Sequence, residues 1–340
     1  LLQAKKDDLC HRIGKARIPL WIGFVRLSSL SISPINDLLA RKIAHQNKQL
    51  RTKKMKQKSA QQVDQKAEIV GVYDRAASTY DQVGIRTASY FGNLLIEKLN
   101  MPAGAQVLDV ATGRGALLLP AAQKVGPAGR VIGIDLAPGM VAATAAEIRR
   151  RELQQAEVCW MDGDDPTFPE KTFDYILCGF ALHFLDYPHA LGHFRQLLKP
   201  GGTMATVGPY IPIEDRENAE RWQWLFQLTR EVFPPDFVPP SSWTAPNRLK
   251  TPEALTAALQ DAGFVDISTW REEKVMYFAG EEDWWAWEWS QASRFWLEGM
   301  SPEGLATFKR VSFEKLRQMK GAEGISMRWG AVYAIGRAPN

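Results

Sequence analysis

Two carboxylates with a pair of glycines between them carry the first chemical signal in the chain. Gln106-Val107-Leu108-Asp109-Val110 is an apolar run that contains an acid, Ala111-Thr112-Gly113-Arg114-Gly115-Ala116 follows it, and a helical run opens at Leu117. A strand, a tight loop and a helix start, in that order, present backbone N–H groups to a nucleotide-like ligand. Gly113 and Gly115 let the backbone turn sharply and leave no Cβ in the ligand's way. Further on, Arg130 to Asp135 reads as a second buried strand ending in a carboxylate, which can accept from both hydroxyls of a ribose. A dinucleotide fingerprint would need a third glycine where Leu118 stands. Asp109 would also repel a pyrophosphate, so a cofactor carrying positive charge suits the pocket better.

With Ala111 in place of the first glycine, residues 109–115 resemble the D-x-G-x-G-x-G motif of the class I SAM-dependent methyltransferases, and look most like the quinone and small-molecule branch. The resemblance implies S-adenosylmethionine as cofactor. Asp109, Ala111, Thr112, Gly113 and Gly115 would hold its methionine end and Asp135 its ribose, with Leu136 and Met140 completing that wall. Four further motifs follow the family's order. Val72 to Asp81 is similar to its amino-terminal motif, in which a tyrosine, here Tyr80, lies over the cofactor; plain interhelix packing is the other reading of Tyr80. Asp162-Gly163-Asp164-Asp165 resembles the G-D-A signature. It implies Asp164 as acceptor from the adenine amino group and Asp165 at the backbone position, with Asp162 the alternative after a slip of two residues. Cys178 to Leu185 is similar to the segment that faces the transferred methyl group and contributes Phe180. Leu197 to Thr203 matches a structural L-K-P-G-G turn. The resemblance spans residues 72–208.

Acid–base chemistry has two candidates, His183 and Tyr80. His183 follows the fourth strand, where substrate would lie, and is either a general base or a pocket-lining residue. His189 and His193 stand at i, i+4 on the next helix, a spacing that can bind a metal. No accompanying glutamate completes a motif, and no metal is expected.

The elements that position these groups alternate. Strands at 106–110, 130–135, 157–161, 173–178 and 203–207 are separated by helices at 115–125, 140–153 and 188–198. That spacing predicts an α/β, Rossmann-like, mostly parallel sheet with helices on both faces and ligands at the strands' carboxyl edge. Val265 to Phe278 and Ser326 to Arg337 complete seven strands, the last expected antiparallel from the family resemblance. Two insertions, 209–250 and 280–322, read as helical and aromatic-rich. Trp285, Trp289, Ala292 and Trp296 form one stripe at helical spacing. Trp284 and Trp287 fall off that stripe, which predicts an aromatic lid over the cofactor edge.

Composition sets the outer bounds. The 340 residues are 45% apolar and 24% charged, ordinary for a globular chain. Three scattered cysteines argue against a disulfide framework and for a reducing, cytoplasmic setting. No apolar run is long enough to span a bilayer. Residues 1–60 carry a net charge of +11 and the remainder −7. The basic stretch is expected to be an extension or upstream sequence ahead of a catalytic domain at 61–340, with Met55 near the start of the family-like sequence. The acidic domain makes a small organic methyl acceptor the expected partner and a nucleic acid the alternative. A noncatalytic SAM-binding domain is a further alternative. Nothing in the pattern points to an oligomeric state.

Overall fold

The computed structural model describes residues 66–210, 216–233 and 249–340. The basic stretch, the start of the first insertion and its Pro-rich loop lie outside the described residues. Seven strands form one sheet in the order β3-β2-β1-β4-β5-β7-β6. They are β1 (Gln106–Val110), β2 (Arg130–Asp135), β3 (Ala156–Trp160), β4 (Phe173–Gly179), β5 (Leu198–Tyr210), β6 (Val265–Phe278) and β7 (Ile325–Arg337). The first five pair in parallel, and β7 runs antiparallel to both β5 and β6. The parallel strands read as continuous apolar runs because both of their faces are covered.

One face is covered by α5 (Tyr187–Leu197) and α7 (Pro252–Asp261), with Phe194, Leu191 and Leu259 in the core. The other is covered by α2 (Thr87–Lys98) and α3 (Leu118–Val125), through Phe91, Leu95, Leu118 and Ala122. Helix α4 (Pro138–Arg150) links β2 to β3, and a first helix, α1 (66–76), precedes the sheet. Helix α7 begins as its sequence dictates: the Thr251 side chain accepts from the Ala254 N–H and Pro252 takes the first position.

Beyond shifts of one to three residues at element ends, two features differ from the sequence reading. The Leu-Lys-Pro-Gly-Gly segment does not stand ahead of β5. It is built into the strand as an irregularity, with Gly201 at φ +71° and the register stepping between Phe173 and Tyr175. The tryptophan-rich stripe does not lie on one unbroken helix. The helix that opens it stops at Ser290, Gln291 turns extended, and the chain resumes as α9 (Arg294–Glu298) after α8 (Glu281–Ser290). The stripe from Trp285 to Trp296 therefore spans two helices. The buried face of α8 is Trp284, Trp287 and Glu288, an i, i+3, i+4 set.

Helices α6 (Arg216–Val232), α8, α9 and α10 (Pro302–Met319) share a third cluster with Phe278, Ile325 and Met327 of the sheet. Among the described residues no helix is long and apolar enough to cross a membrane.

Candidate active site

The glycine loop sits between the carboxyl ends of β1, β2 and β4, and its shape is fixed by hydrogen bonds around it. The Thr112 N–H donates to the Ile134 carbonyl at 2.9 Å, and the Gly115 N–H to the Thr112 carbonyl at 2.8 Å. Gly113 and Gly115 both take positive φ, +53° and +82°. Ala111 takes φ +53° as well, a left-handed conformation held by a residue with a Cβ. Phe180, at the matching end of β4, has φ +55°. Two side-chain-bearing residues strained at adjacent strand ends mark the edge where the backbone must make room for a ligand.

The carboxylates occupy distinct stations. Asp109 is buried; its Oδ2 accepts from the Thr112 hydroxyl at 2.6 Å, and its Oδ1 makes no hydrogen bond among the described residues. Burial pushes its pKa up to about 7, against the Thr112 hydroxyl and the Leu118 N–H at the start of α3, which lies near the carboxylate without completing a well-formed bond to Oδ1. Asp135 accepts from the Gly113 N–H at 2.8 Å and from the Ala137 N–H at 2.9 Å. It thereby ties the end of β2 to both the glycine loop and the start of α4. Burial raises its pKa, and those backbone bonds oppose the rise.

The amino-terminal segment closes over this loop. Asp81 accepts from the Ala88 and Ser89 N–H groups at 3.2 and 2.9 Å and so caps the first turn of α2. That cap holds Tyr80 above Gly113, whose missing Cβ would lie 3.5 Å from the Tyr80 ring. Arg114 donates to the Ala77 carbonyl at 2.8 Å, and the Gly139 N–H at the head of α4 donates to Asp74 at 2.6 Å.

Two chambers result. The larger encloses about 770 Å³, open solvent included, and is walled by α1 (Lys66, Ile69, Tyr73), Tyr80, Asp135 to Met140 and Phe180 to Leu185. A smaller one of about 320 Å³ lies between Asp109, Thr112, Leu117 and Val207. Tyr80, Ala111, Gly113, Gly179 and Phe180 border both.

Of the residues singled out from sequence, Asp109, Ala111, Thr112, Gly113, Asp135, Leu136, Met140, Phe180 and Tyr80 line one chamber or the other. Gly115 stands behind them, with Leu119 and Thr144 against the position its Cβ would take. Asp164 and Asp165 line neither chamber. Asp162 and Gly163 do. Asp164 accepts from the Asp186 N–H at 2.9 Å, and Asp165 pairs with His189 on the surface at 2.7 Å. Lys66 donates to both Asp162 and Asp164, at 2.6 Å to each.

His183 lines neither chamber; its ring lies against Phe184, tilted by 43° with centroids 4.1 Å apart. None of the described tryptophans of the second insertion lines either of these chambers, whose described aromatic wall is Tyr73, Tyr80, Phe180 and Phe184. Tyr73 meets Tyr80 and Phe184 edge to face, at 5.6 and 5.9 Å. Sequence reasoning missed Lys66 and Tyr73. The apolar positions Ile69, Val70 and Tyr73, spaced to share a helix face, were the available signal.

A model of a methyltransferase domain matches residues 107–202, from β1 into β5. A nocamycin O-methyltransferase from Saccharothrix syringae is 31% identical over 277 residues, which cover 78% of this chain and 97% of that one. The chain belongs to the class I SAM-dependent methyltransferases. An aklanonic acid methyltransferase from a Streptomyces species is 37% identical over 145 residues, 42% of this methyltransferase and 66% of the relative. A 2-phytyl-1,4-naphthoquinone methyltransferase from Thermosynechococcus vestitus is 31% identical over 210 residues, 58% and 90% of the two chains. All three are named for small-molecule acceptors and none for a nucleic acid.

The site of this methyltransferase fits its cofactor, S-adenosylmethionine. Asp109 Oδ1 is a buried acceptor lacking a partner at the back of the smaller chamber, suited to the α-ammonium of an amino acid. The larger chamber is mostly apolar, with carboxylates at two separate places on its wall, as a nucleoside requires.

The two acid–base candidates have unsuitable proton affinities. Desolvation raises the Tyr80 pKa well above the ordinary phenol value, so the hydroxyl keeps its proton. Desolvation, assisted by the nearby Lys250 charge, lowers His183 to about 4. The imidazole is neutral at pH 7 and a weak base.

Proposed function

We propose that the enzyme methylates an acidic oxygen, an enolate, phenolate or carboxylate, on a small lipophilic organic acceptor. The supporting observation is that neither acid–base candidate is a competent base. Of the two candidates singled out from the sequence, Tyr80 borders both chambers but retains its own proton, and His183 lines neither chamber and is poised near pH 4. An acceptor ionised before it binds needs neither. The apolar, aromatic wall of the larger chamber favours a flat or lipophilic molecule, and the near-full-length relative is named an O-methyltransferase.

The residues then divide the work. Asp109 pairs with the cofactor's ammonium, and Asp135 accepts from its ribose hydroxyls while holding the loop through Gly113 and Ala137. Asp162, in place of Asp164, accepts from the adenine amino group once Lys66 gives way. Tyr80 and Phe180 pack against the border between the chambers and exclude water there. S-adenosylmethionine supplies an electrophilic methyl on a sulfonium, and positioning the nucleophile in line with it contributes ~7–11 kcal/mol through orientation alone. We place this chemistry in a reducing, cytoplasmic compartment, a setting that the free thiols of Cys159 and Cys178 support.

The test is methyl transfer to matched acceptor pairs, a carboxylic acid or acidic enol against its neutral alcohol counterpart. The reading expects transfer to the acidic member alone, a kcat/KM that tracks the acceptor's own ionisation, and His183→Ala within a few-fold of wild type. A His183→Ala loss in the ~10²–10⁴ range typical of a general base would overturn it.

A further inference from the structure

Outside both chambers, three ligand-type side chains meet on the far side of the loop that follows β3. His189 Nε2 lies 2.7 Å from Asp165 Oδ1, and His193 Nδ1 lies 3.9 Å from the same oxygen. One donor atom from each residue can be chosen so that all three fall within 4.8 Å of one another. We propose that Asp165, His189 and His193 form a binding site for a divalent transition-metal ion such as Zn²⁺.

The arrangement follows from three features. His189 and His193 are four residues apart on α5 and therefore share a face of that helix. Asp165 reaches that face from a distant loop because its neighbour Asp164 is fastened to the helix start through the Asp186 N–H. Lys66 braces the same loop through Asp162 and Asp164. Two imidazoles and one carboxylate suit zinc, cobalt or nickel, whereas magnesium and calcium prefer oxygen donors throughout.

Tetrahedral bonds of 2.0–2.1 Å put neighbouring ligand atoms roughly 3.3 Å apart. The observed 2.7 and 3.9 Å straddle that value, so side-chain rotation closes the set without moving the backbone. The Asp165 and His189 side chains are more than half exposed, which leaves the remaining coordination positions to water. The carboxylates of Asp164 and Asp186 add negative potential at the site, and Lys66, whose charge acts on Asp165, is already engaged by Asp162 and Asp164. A metal here is structural: it pins the loop carrying Asp162 to α5 from outside the cavity.

Without a metal, the same residues make only an exposed His–Asp ion pair, worth ~0–1 kcal/mol. The two cases separate by experiment. The full chain is stripped with a chelator and titrated with Zn²⁺ alone, without cofactor, by calorimetry. The chain also carries Cys10, His11 and His45, so the readout is the equivalent that depends on α5. Wild type is expected to bind one equivalent that is lost, or weakened by at least about tenfold, in His189→Ala and in His193→Ala. His189→Gln keeps a hydrogen-bonding group beside Asp165 and is expected to lose the metal equally. Co²⁺ is expected to give visible d–d absorption that disappears in the same variants, while circular dichroism stays unchanged. Equal zinc stoichiometry and affinity in wild type and the His189→Ala/His193→Ala double variant would overturn the proposal, as would no binding below millimolar zinc.

Discussion

The carboxyl edge of the parallel strands and the tryptophan-rich helices make opposite use of buried polar atoms. At the edge, Asp109 is buried with one oxygen lacking a partner, and Ala111 and Phe180 hold left-handed backbone. Each of these features costs stability; Ala111 and Phe180 lie where the two chambers meet, and Asp109 lines the smaller one. In the helical cluster the indole N–H groups of Trp222, Trp224, Trp284 and Trp287 also lack partners among the described residues, yet the rings are packed among apolar neighbours and line neither of the two chambers. An indole N–H left without a partner accompanies a large apolar burial that offsets it; a buried carboxylate with one oxygen unpartnered has no such compensation. The contrast separates residues kept for a ligand from residues kept for packing.

The largest effect that could break this contrast is in the helices. Trp284, fully buried and 6.5 Å from the Phe308 ring, should cost about 3–5 kcal/mol of stability on replacement by alanine. Affinity for S-adenosylhomocysteine in the folded fraction should stay unchanged. Chemical denaturation with calorimetry on the same sample checks both, and a lost affinity without lost stability would move the tryptophans into the site.

Asp109 should behave in the opposite way. Its folded pKa of about 7 lies above its unfolded value, so its charge penalty is absent at low pH and grows as pH rises through the interval between the two. At full charge the penalty is on the order of 4 kcal/mol. Asp109→Asn should therefore make the ligand-free protein more stable at pH 8, with little change at pH 4, while weakening the cofactor. In wild type, cofactor affinity should fall about tenfold for each pH unit below 7, because Asp109 must ionise to meet the ammonium. The asparagine variant should lack that dependence. Melting curves and titrations at pH 6 and pH 8 check the signs.

A smaller effect sharpens the adenine end. Asp162→Ala should weaken S-adenosylhomocysteine binding by about 1.5–3 kcal/mol, the worth of a charge-assisted hydrogen bond, whereas Asp165→Ala should leave it within twofold in metal-free buffer. The smallest effect is at Ala111. Replacement by glycine should relieve about 1 kcal/mol of left-handed strain and raise the melting temperature, with binding intact.

Much of this was legible in the sequence because the parallel strands announce themselves. β1 and β2 are apolar runs that end at the glycine loop and at Asp135, and their bounds agree with the structure to the residue. The choice between Asp162 and Asp164 at the chamber wall was open in the sequence for a physical reason. Asp162 and Asp164 are two apart in an irregular turn, so no periodicity distinguishes the one facing the cavity. What decides it is Asp164's bond to the Asp186 N–H, a contact between loops distant in sequence. The break after Ser290 was hidden for a related reason. No glycine or proline marks it, and the helix ends where Trp284 and Trp287 have turned to the core. Tyr80 was legible as a residue over the cofactor loop. Asp81, whose capping of α2 puts it there, draws its meaning from tertiary structure alone.

A crystal structure of the enzyme with S-adenosylhomocysteine tests the central claim most directly. The account predicts the α-ammonium on Asp109 Oδ1, the ribose hydroxyls on Asp135 and the adenine amino group on Asp162. Adenine on Asp164 or Asp165, or a ligand seated away from Ala111 and Gly113 with Asp109 Oδ1 still lacking a partner, would contradict it.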